Sequence, residues 1–266
     1  MSPTGKARSG IFLVGAPRKP WNLPGRLSFC ERGCDKHVLA PSTRPCSRLR
    51  LVPIRSFNGL IDLLSARLGQ SLPGHDAHAT MAPRHSARQE ALSVNGRSCR
   101  EAGVLVLLLP QAETPVLVLT VRHDELPDHG GQISFPGGQR EGEETLSETA
   151  LREANEEIGL SPTAVRLLGD LTPLYIPPSN FCVHPFVGAA AYDLPLRPTD
   201  REVDQILRVP LDRLLAPETR VVEPWTLHGQ EVEVPYYDVD GHTVWGATAM
   251  MLAELLAVLR DDTITD

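Results

Sequence analysis

Glu153, Glu156 and Glu157 stand at i, i+3 and i+4 within the stretch Thr145–Ile158. That spacing gathers three carboxylates on one side of an α-helix. Like charges placed this way oppose helix formation by roughly a few tenths of a kcal/mol per pair, so something should compensate. A solvated acidic face is one answer. The other is a hard divalent cation: carboxylate oxygens are its preferred ligands, and three of them would bind Mg2+ or Mn2+ while leaving positions open for water and phosphate oxygens.

The helix that must position these acids has clear limits. Thr145 followed by Glu148 fits a capping box, and Gly159 with Pro162 beyond it supplies the stop. Ser147, Ala150, Leu151, Ala154 and Ile158 fall on one face, opposite the glutamates, and suit packing onto a sheet. Strand material surrounds it. Val104–Leu109 and Val116–Arg122 read as a hairpin, and the glycine-rich stretch His129–Gly138 leads into the helix. Further strands are expected at Val165–Leu171, Val183–Tyr192 and Ile206–Pro210, followed by a hairpin turning at Asp240–Gly241. An apolar stripe of Leu60, Ile61, Leu63, Leu64 and Leu68 stops at Gly69, and a closing helix spans Ala247–Leu259. Strands with helices before, between and after them predict a mixed sheet covered on both faces, an α/β fold.

At 266 residues, 41% of them hydrophobic, the chain can bury one good-sized core with an appendage. No apolar run approaches the roughly 20 residues needed to cross a bilayer, so a membrane role is not expected. The net charge of −7 hides an asymmetry, with 11 Lys and Arg against 2 Asp and Glu in residues 1–56. Residues 57–266 then hold 15 against 31, a poor partner for a nucleic-acid backbone and a good one for divalent cations. Residues 1–56 show no sustained period and read as a basic extension without a packed core, the folded domain being expected over 57–266. Two alternatives stay open for the extension: a targeting peptide, or a metal knuckle using Cys30, Cys34, His37 and Cys46. The five scattered cysteines lack the dense even pattern of a secreted framework and fit a reducing cytoplasm; Cys99 and Cys182 read as ordinary thiols.

The string from Gly138 through Glu144 to Arg152-Glu153-Ala154-Asn155-Glu156-Glu157-Ile158-Gly159-Leu160 resembles the Nudix box throughout. Its one departure is Ala154, where the pattern usually carries a larger apolar residue. The resemblance implies an α/β/α sandwich with a mixed sheet and a loop–helix–loop catalytic motif, acting as a diphosphatase with Mg2+ or Mn2+. Carried over position by position, Glu153, Glu156 and Glu157 would hold metal with the Gly138 carbonyl, while Glu144 and Arg152 would pair to fix the loop on the helix. Metal bound there would neutralise the diphosphate and activate the attacking water.

Leu119-Thr120-Val121-Arg122 and His129 through Gly138 look like the extra signature that precedes the box in coenzyme A pyrophosphatases. That branch shows a small residue at His123 and an arginine at Pro127. Tyr175–Phe181, His184-Pro185-Phe186 and Val244–Thr248 also look like the branch, so the resemblance covers about residues 59–259. It implies a small nucleoside diphosphate substrate of coenzyme A type, split into 3′,5′-ADP and a 4′-phosphopantetheine product, and it is open to a homodimer. Another nucleoside diphosphate compound, such as ADP-ribose or a dinucleotide, is the alternative substrate. A silent nucleotide-sensing module is the rival class, though all three box glutamates are present. Arg122 fits a contact to a substrate phosphate or a plain strand-end arginine, and Glu202 fits a further metal ligand, a base or a solvated loop acid. His129 and His184 are read as loop histidines without a chemical role.

Overall fold

The computed structural model describes residues 56–84, 92–111, 114–123, 131–227 and 229–260. Residues 1–55 of the basic extension, the proposed knuckle, His129 and Pro127 lie outside the described residues.

The sheet is built outward from β1 (Arg100–Leu109), whose apolar side chains are buried on both faces. Val104, Val106 and Leu108 enter one hydrophobic cluster while Leu105, Leu107 and Leu109 enter another. A period of two therefore divides one continuous apolar run between two cores. β2 (Val116–Arg122) pairs antiparallel with β1, and β7 (Phe181–Ala190) runs parallel to it in register from Arg100↔Phe181 to Leu108↔Ala189. β3 (Ile133–Ser134) and β8 (Val203–Pro210) flank β2, β4 (Gly137–Gln139) pairs with β1, and β5 (Val165–Asp170) and β6 (Leu174–Ile176) pair with β7. Pro185, which has no N–H, falls where β7 exchanges β6 for β5 as its neighbour.

Helices cover both faces. The box helix α3 (Leu146–Ile158) buries Ala150, Ala154 and Ile158 in one cluster. α1 (Phe57–Leu68), capped by Ser56, the short α4 (Leu211–Leu215) and α5 (Gly246–Leu259) fill the other with Leu60, Leu64, Leu68, the α4 leucines and most of α5. The mixed sheet between helical layers is the α/β class expected. α2 (Gly74–Ala79), absent from the sequence reading, packs on α5 through buried Glu254. The Glu254 carboxylate accepts hydrogen bonds from Gly74 N–H, Thr172 N–H and Thr172 Oγ1, and shares one of 2.9 Å with His78 Nε2.

The structure extends one expectation and corrects another. The Asp240–Gly241 turn closes β10 (Gln230–Val239) onto β11 (His242–Val244), but β10 also pairs along its length with β9 (Arg220–Leu227), forming a separate three-stranded sheet. Pro224 and Pro235 disguise these strands; Pro224 lies on the edge strand, and Pro235 lies beyond the reach of β11, where a missing N–H costs nothing to a ladder. Second, Cys99 and Cys182 are not free thiols. They form a disulfide across 83 residues, because parallel pairing of β1 with β7 brings their Cα atoms to 5.8 Å.

Candidate active site

Three glycines let the box helix, β4 and β1 come together. A Cβ on Gly103 would stand 2.2 Å from the Leu146 carbonyl oxygen, and one on Gly137 would stand 2.4 Å from the Gly103 carbonyl oxygen. Backbone lies against backbone at both places. At Gly138 the obstacle would instead be the Glu153 carboxyl, 2.4 Å from such a Cβ, so the absent side chain is what admits Glu153 against β4.

The helix then presents its acids in two directions. Thr145 and Glu148 form the reciprocal capping box, and Gly159 ends the helix in the left-handed region at φ 68°. Arg152 gathers one set. Its Nε and Nη2 donate to Glu144 at 2.9 and 2.8 Å, Nη1 donates to Glu153 at 2.8 Å and lies 3.5 Å from Glu156, and Nη2 also reaches the Gln139 carbonyl at 3.1 Å. The Arg152 guanidinium holds Glu144 down to a pKa of about 2, helped by the Glu141 amide and the Thr149 hydroxyl. Glu157 turns the other way. It is 8% exposed and accepts the Gly137 N–H at 3.1 Å. Burial pushes its carboxyl well above the usual range despite that hydrogen bond, and the charges of Glu153 and Asp200 push further in the same direction.

The loop between β7 and β8 closes over the end of the helix. Three of the carbonyls that a helix C-terminus leaves open are taken by it: Arg197 N–H donates to Ile158, Thr199 N–H to Glu157, and the Thr199 hydroxyl to Glu156. The same loop carries Asp200 and Glu202. Asp200 Oδ1 accepts the amides of Glu202 and Val203, and Glu202 pairs with Arg122 Nη2 at 3.2 Å. Arg122 is 12% exposed in its side chain, and its charge favours the ionised form of Glu157. Helix, β2 end and acidic loop thus face one another. His184 lies apart beside Glu101, half-buried, with burial lowering its pKa.

The NUDIX domain profile matches residues 100–227, which span every group above. An uncharacterised Nudix hydrolase NudL of Photorhabdus laumondii is 34% identical over 157 residues, 59% of this chain and 83% of that protein. A NudL of Pectobacterium atrosepticum is 36% identical over 167 residues, 61% of this chain and 84% of its own. The chain belongs to the Nudix family. Among solved structures it is similar to a Nudix hydrolase from M. smegmatis, with 23% identity, a TM-score of 0.36, and coverage of 46% of this chain and 80% of that one.

As a Nudix hydrolase the protein acts on pyrophosphate bonds, in a nucleoside diphosphate derivative. Nudix hydrolases use divalent metals such as Mg2+ or Mn2+, and the donor chemistry here fits such an ion. Carboxylate oxygens face a backbone that glycine leaves uncovered at Gly138, and Glu157 is a buried acid that needs a cation to carry its charge. Among the described residues no three His, Cys, Asp or Glu side chains already stand close enough to hold a metal. Arg152 draws Glu153 and Glu156 aside, while Glu157 turns towards the Gly137 amide. Among the described residues no helix is long and apolar enough to cross a membrane. The capping role of Thr199 left no mark in the sequence, because a threonine in a polar loop carries no signal of the carbonyls it will meet.

Proposed function

We propose that this Nudix hydrolase cleaves the diphosphate of coenzyme A or a derivative, giving 3′,5′-ADP and a 4′-phosphopantetheine product. Glu157 carries the chemical part of the reading: a carboxylate buried beside Glu153 and Asp200 is costly without a cation, and a substrate diphosphate is costly beside carboxylates for the same reason. Glu153, Glu156, Glu157 and the Gly138 carbonyl would hold Mg2+ or Mn2+, which supplies charge neutralisation at the diphosphate and a more acidic attacking water. Arg152 keeps the loop at Glu144 and Gln139 fixed against the helix while the acids engage. Glu202, held by Arg122, would accept the proton of the attacking water, and Arg122 would meet substrate as part of that pair.

Placement of the branch-like segments supports the substrate. Val244–Thr248 lies against the lead into the box, with Thr248 Oγ1 donating to the Ile133 carbonyl at 3.0 Å. Tyr175–Phe181 lies along the start of β1, where Arg100 N–H donates to Asn180 at 2.9 Å. One segment borders β3 and the other the start of β1, the strand that carries Gly103, where contacts outside the shared diphosphate can discriminate between substrates. A panel of coenzyme A, acetyl-coenzyme A, ADP-ribose, dinucleotides and nucleoside triphosphates, with Mg2+ or Mn2+ and product identification, tests this. Highest kcat/KM for the coenzyme A compounds is expected. Preference for ADP-ribose would remove the substrate reading and leave diphosphate hydrolysis in place.

A further inference from the structure

The Cys99–Cys182 bond lies at the end of the sheet where the Gly138–Arg140 segment and the Tyr175–Phe181 turn are anchored. Cys182 sits on β7 between Glu101 of β1 and Tyr175 of β6. Cys99 precedes β1 and is half-buried, whereas Cys182 is 2% exposed. Around the bond, Arg100 Nη2 donates to the Ser179 carbonyl at 2.7 Å, Asn180 Nδ2 to the Ser98 carbonyl at 3.5 Å, and Tyr175 OH to Asn180 Oδ1 at 3.1 Å. Arg97 covers the Tyr175 ring at 4.1 Å. These contacts are exposed and individually weak, and Asn180 itself holds a left-handed φ of 51°. On the other side, Glu101 C=O accepts the Arg140 amide at 2.9 Å, and the next residues pair with Gln139 and Gly138. Gly103 is only about 13 Å of strand from Cys99.

We propose that Cys99 and Cys182 form a redox modification site, open to small dithiols and disulfides, whose oxidised state holds the Tyr175–Phe181 turn in its substrate-binding position. Reduction proceeds by exchange. A dithiol thiolate attacks the sulfur of Cys99, the less buried residue of the pair, breaking the S–S bond and releasing Cys182 as a thiolate that takes up a proton. The second thiol of the reductant then attacks the mixed disulfide, freeing Cys99 as a thiol and leaving the reductant oxidised by two electrons as a cyclic disulfide. Once the bond is open, the turn keeps its β6–β7 pairing and its buried Ile176 and Phe181, while its exposed tip at Ser179 and Asn180 depends on the Arg100 backbone bond and the weak side-chain contacts. The metal-binding carboxylates sit on a separate helix anchored by its own caps, so substrate affinity falls more than turnover.

The choice of probe rests on the coenzyme A reading; acetyl-coenzyme A is used because its sulfur is capped and cannot itself open the bond. The full chain is treated with oxidised glutathione or dithiothreitol, freed of reagent, and divided. One part is unfolded, alkylated and mapped by mass spectrometry; the other is assayed on acetyl-coenzyme A and ADP-ribose. Reduction should expose Cys99 and Cys182 to alkylation and raise KM about five- to tenfold with kcat within about twofold, reversibly on reoxidation. A Cys99→Ser/Cys182→Ser double variant should behave as the reduced protein under both treatments; should it fail to fold, chemical reduction of the natural chain still decides. Alkylation of both cysteines after oxidation, or an unchanged KM in the two states, overturns the proposal, as does a lowered melting temperature with unchanged kinetics. If acetyl-coenzyme A is not turned over in either state, the substrate reading fails, while the mapping and the ADP-ribose kinetics still test the redox site.

Discussion

Arg152 and Glu144 are joined by two parallel hydrogen bonds, Nε to Oε2 at 2.9 Å and Nη2 to Oε1 at 2.8 Å. The fork fixes the loop before the box helix, and the same guanidinium balances Glu153 and Glu156. Arg152→Ala should therefore lower stability by about 1–2 kcal/mol, a figure that allows for partial exposure of the pair. It should also lower kcat more than about tenfold, because Glu144, Glu153 and Glu156 lose their common partner. Arg152→Lys should recover only part, since an ammonium cannot form the fork. Unchanged melting temperature and rate in the alanine variant would contradict the bracing role.

Gly138→Ala and Gly103→Ala should separate function from folding. The new methyl at 138 meets the end of a flexible Glu153 side chain, which can swing away at modest cost but then leaves its place beside β4. A stability loss of about 1–2 kcal/mol is expected, with kcat down more than about tenfold and a higher metal requirement. At 103 the methyl meets the Leu146 carbonyl and the Ala150 amide, which cannot yield without moving the helix. Loss of soluble folded protein, or more than about 4 kcal/mol, is expected there. Thermal melts and Mg2+ titrations of both variants distinguish the two effects.

Thr199 ties the acidic loop to the helix by hydroxyl and amide. Thr199→Val removes only the hydroxyl bond to Glu156, at about 1 kcal/mol. With the loop loosened, Asp200 and Glu202 no longer hold their places opposite Glu157, and kcat should fall about three- to tenfold at limiting Mg2+. Thr199→Ser should restore it. A valine variant with full activity would show that the backbone bond alone positions the loop.

The box helix was legible because its signals are local. Thr145, Glu148 and Gly159 each act within one turn, and the alanines and Ile158 mark its buried face by period alone. The continuous apolar run Val104–Leu109 reads as a buried strand, though its start at Arg100 needs the partner strand β7 to become visible. What the sequence hid is long-range. Gly103 reads as one glycine in a strand until Leu146 arrives beside it, and Cys99 reads as a thiol until parallel pairing delivers Cys182. Glu254 is similar: an acid in an apolar helix suggests a solvent-facing position, and its true partners His78 and Thr172 lie 176 and 82 residues away. In the site, helical spacing placed Glu157 with Glu153 and Glu156, but not its turn into the sheet towards Gly137.

Glu254 should make the protein acid-sensitive. Burial acts to raise its carboxyl pKa, but bonds from His78 and Thr172 outweigh that and hold it below the ordinary value. A depressed folded-state pKa means that this group's stabilisation is complete above the unfolded value, about 4.3, and is lost as pH falls through the folded one. Glu254→Gln places an amide NH2 against donors and should cost about 2–3 kcal/mol at neutral pH. The gap in unfolding free energy between natural chain and variant should shrink as pH drops below about 4.3. Denaturant melts at several pH values check this, and a gap independent of pH would show that Glu254 is not charged in the folded protein.

Arg122 is engaged by Glu202 before any substrate arrives, and its charge already bears on Glu157. A side chain so committed and only 12% exposed is poorly free to read a 3′-phosphate at the far end of a coenzyme A molecule. Arg122→Ala should therefore reduce kcat/KM by the same factor for coenzyme A and its 3′-dephosphorylated form, through loss of Glu202 placement and greater repulsion at Glu157. Glu202→Gln should lower the rate as well, and the double variant should lose less than the two single effects combined, because each removes the same pair. Full additivity would mean that the two residues act separately. A loss on coenzyme A about tenfold greater than on the dephosphorylated form would instead make Arg122 the reader of that phosphate, since one such charge-assisted contact is worth about that much.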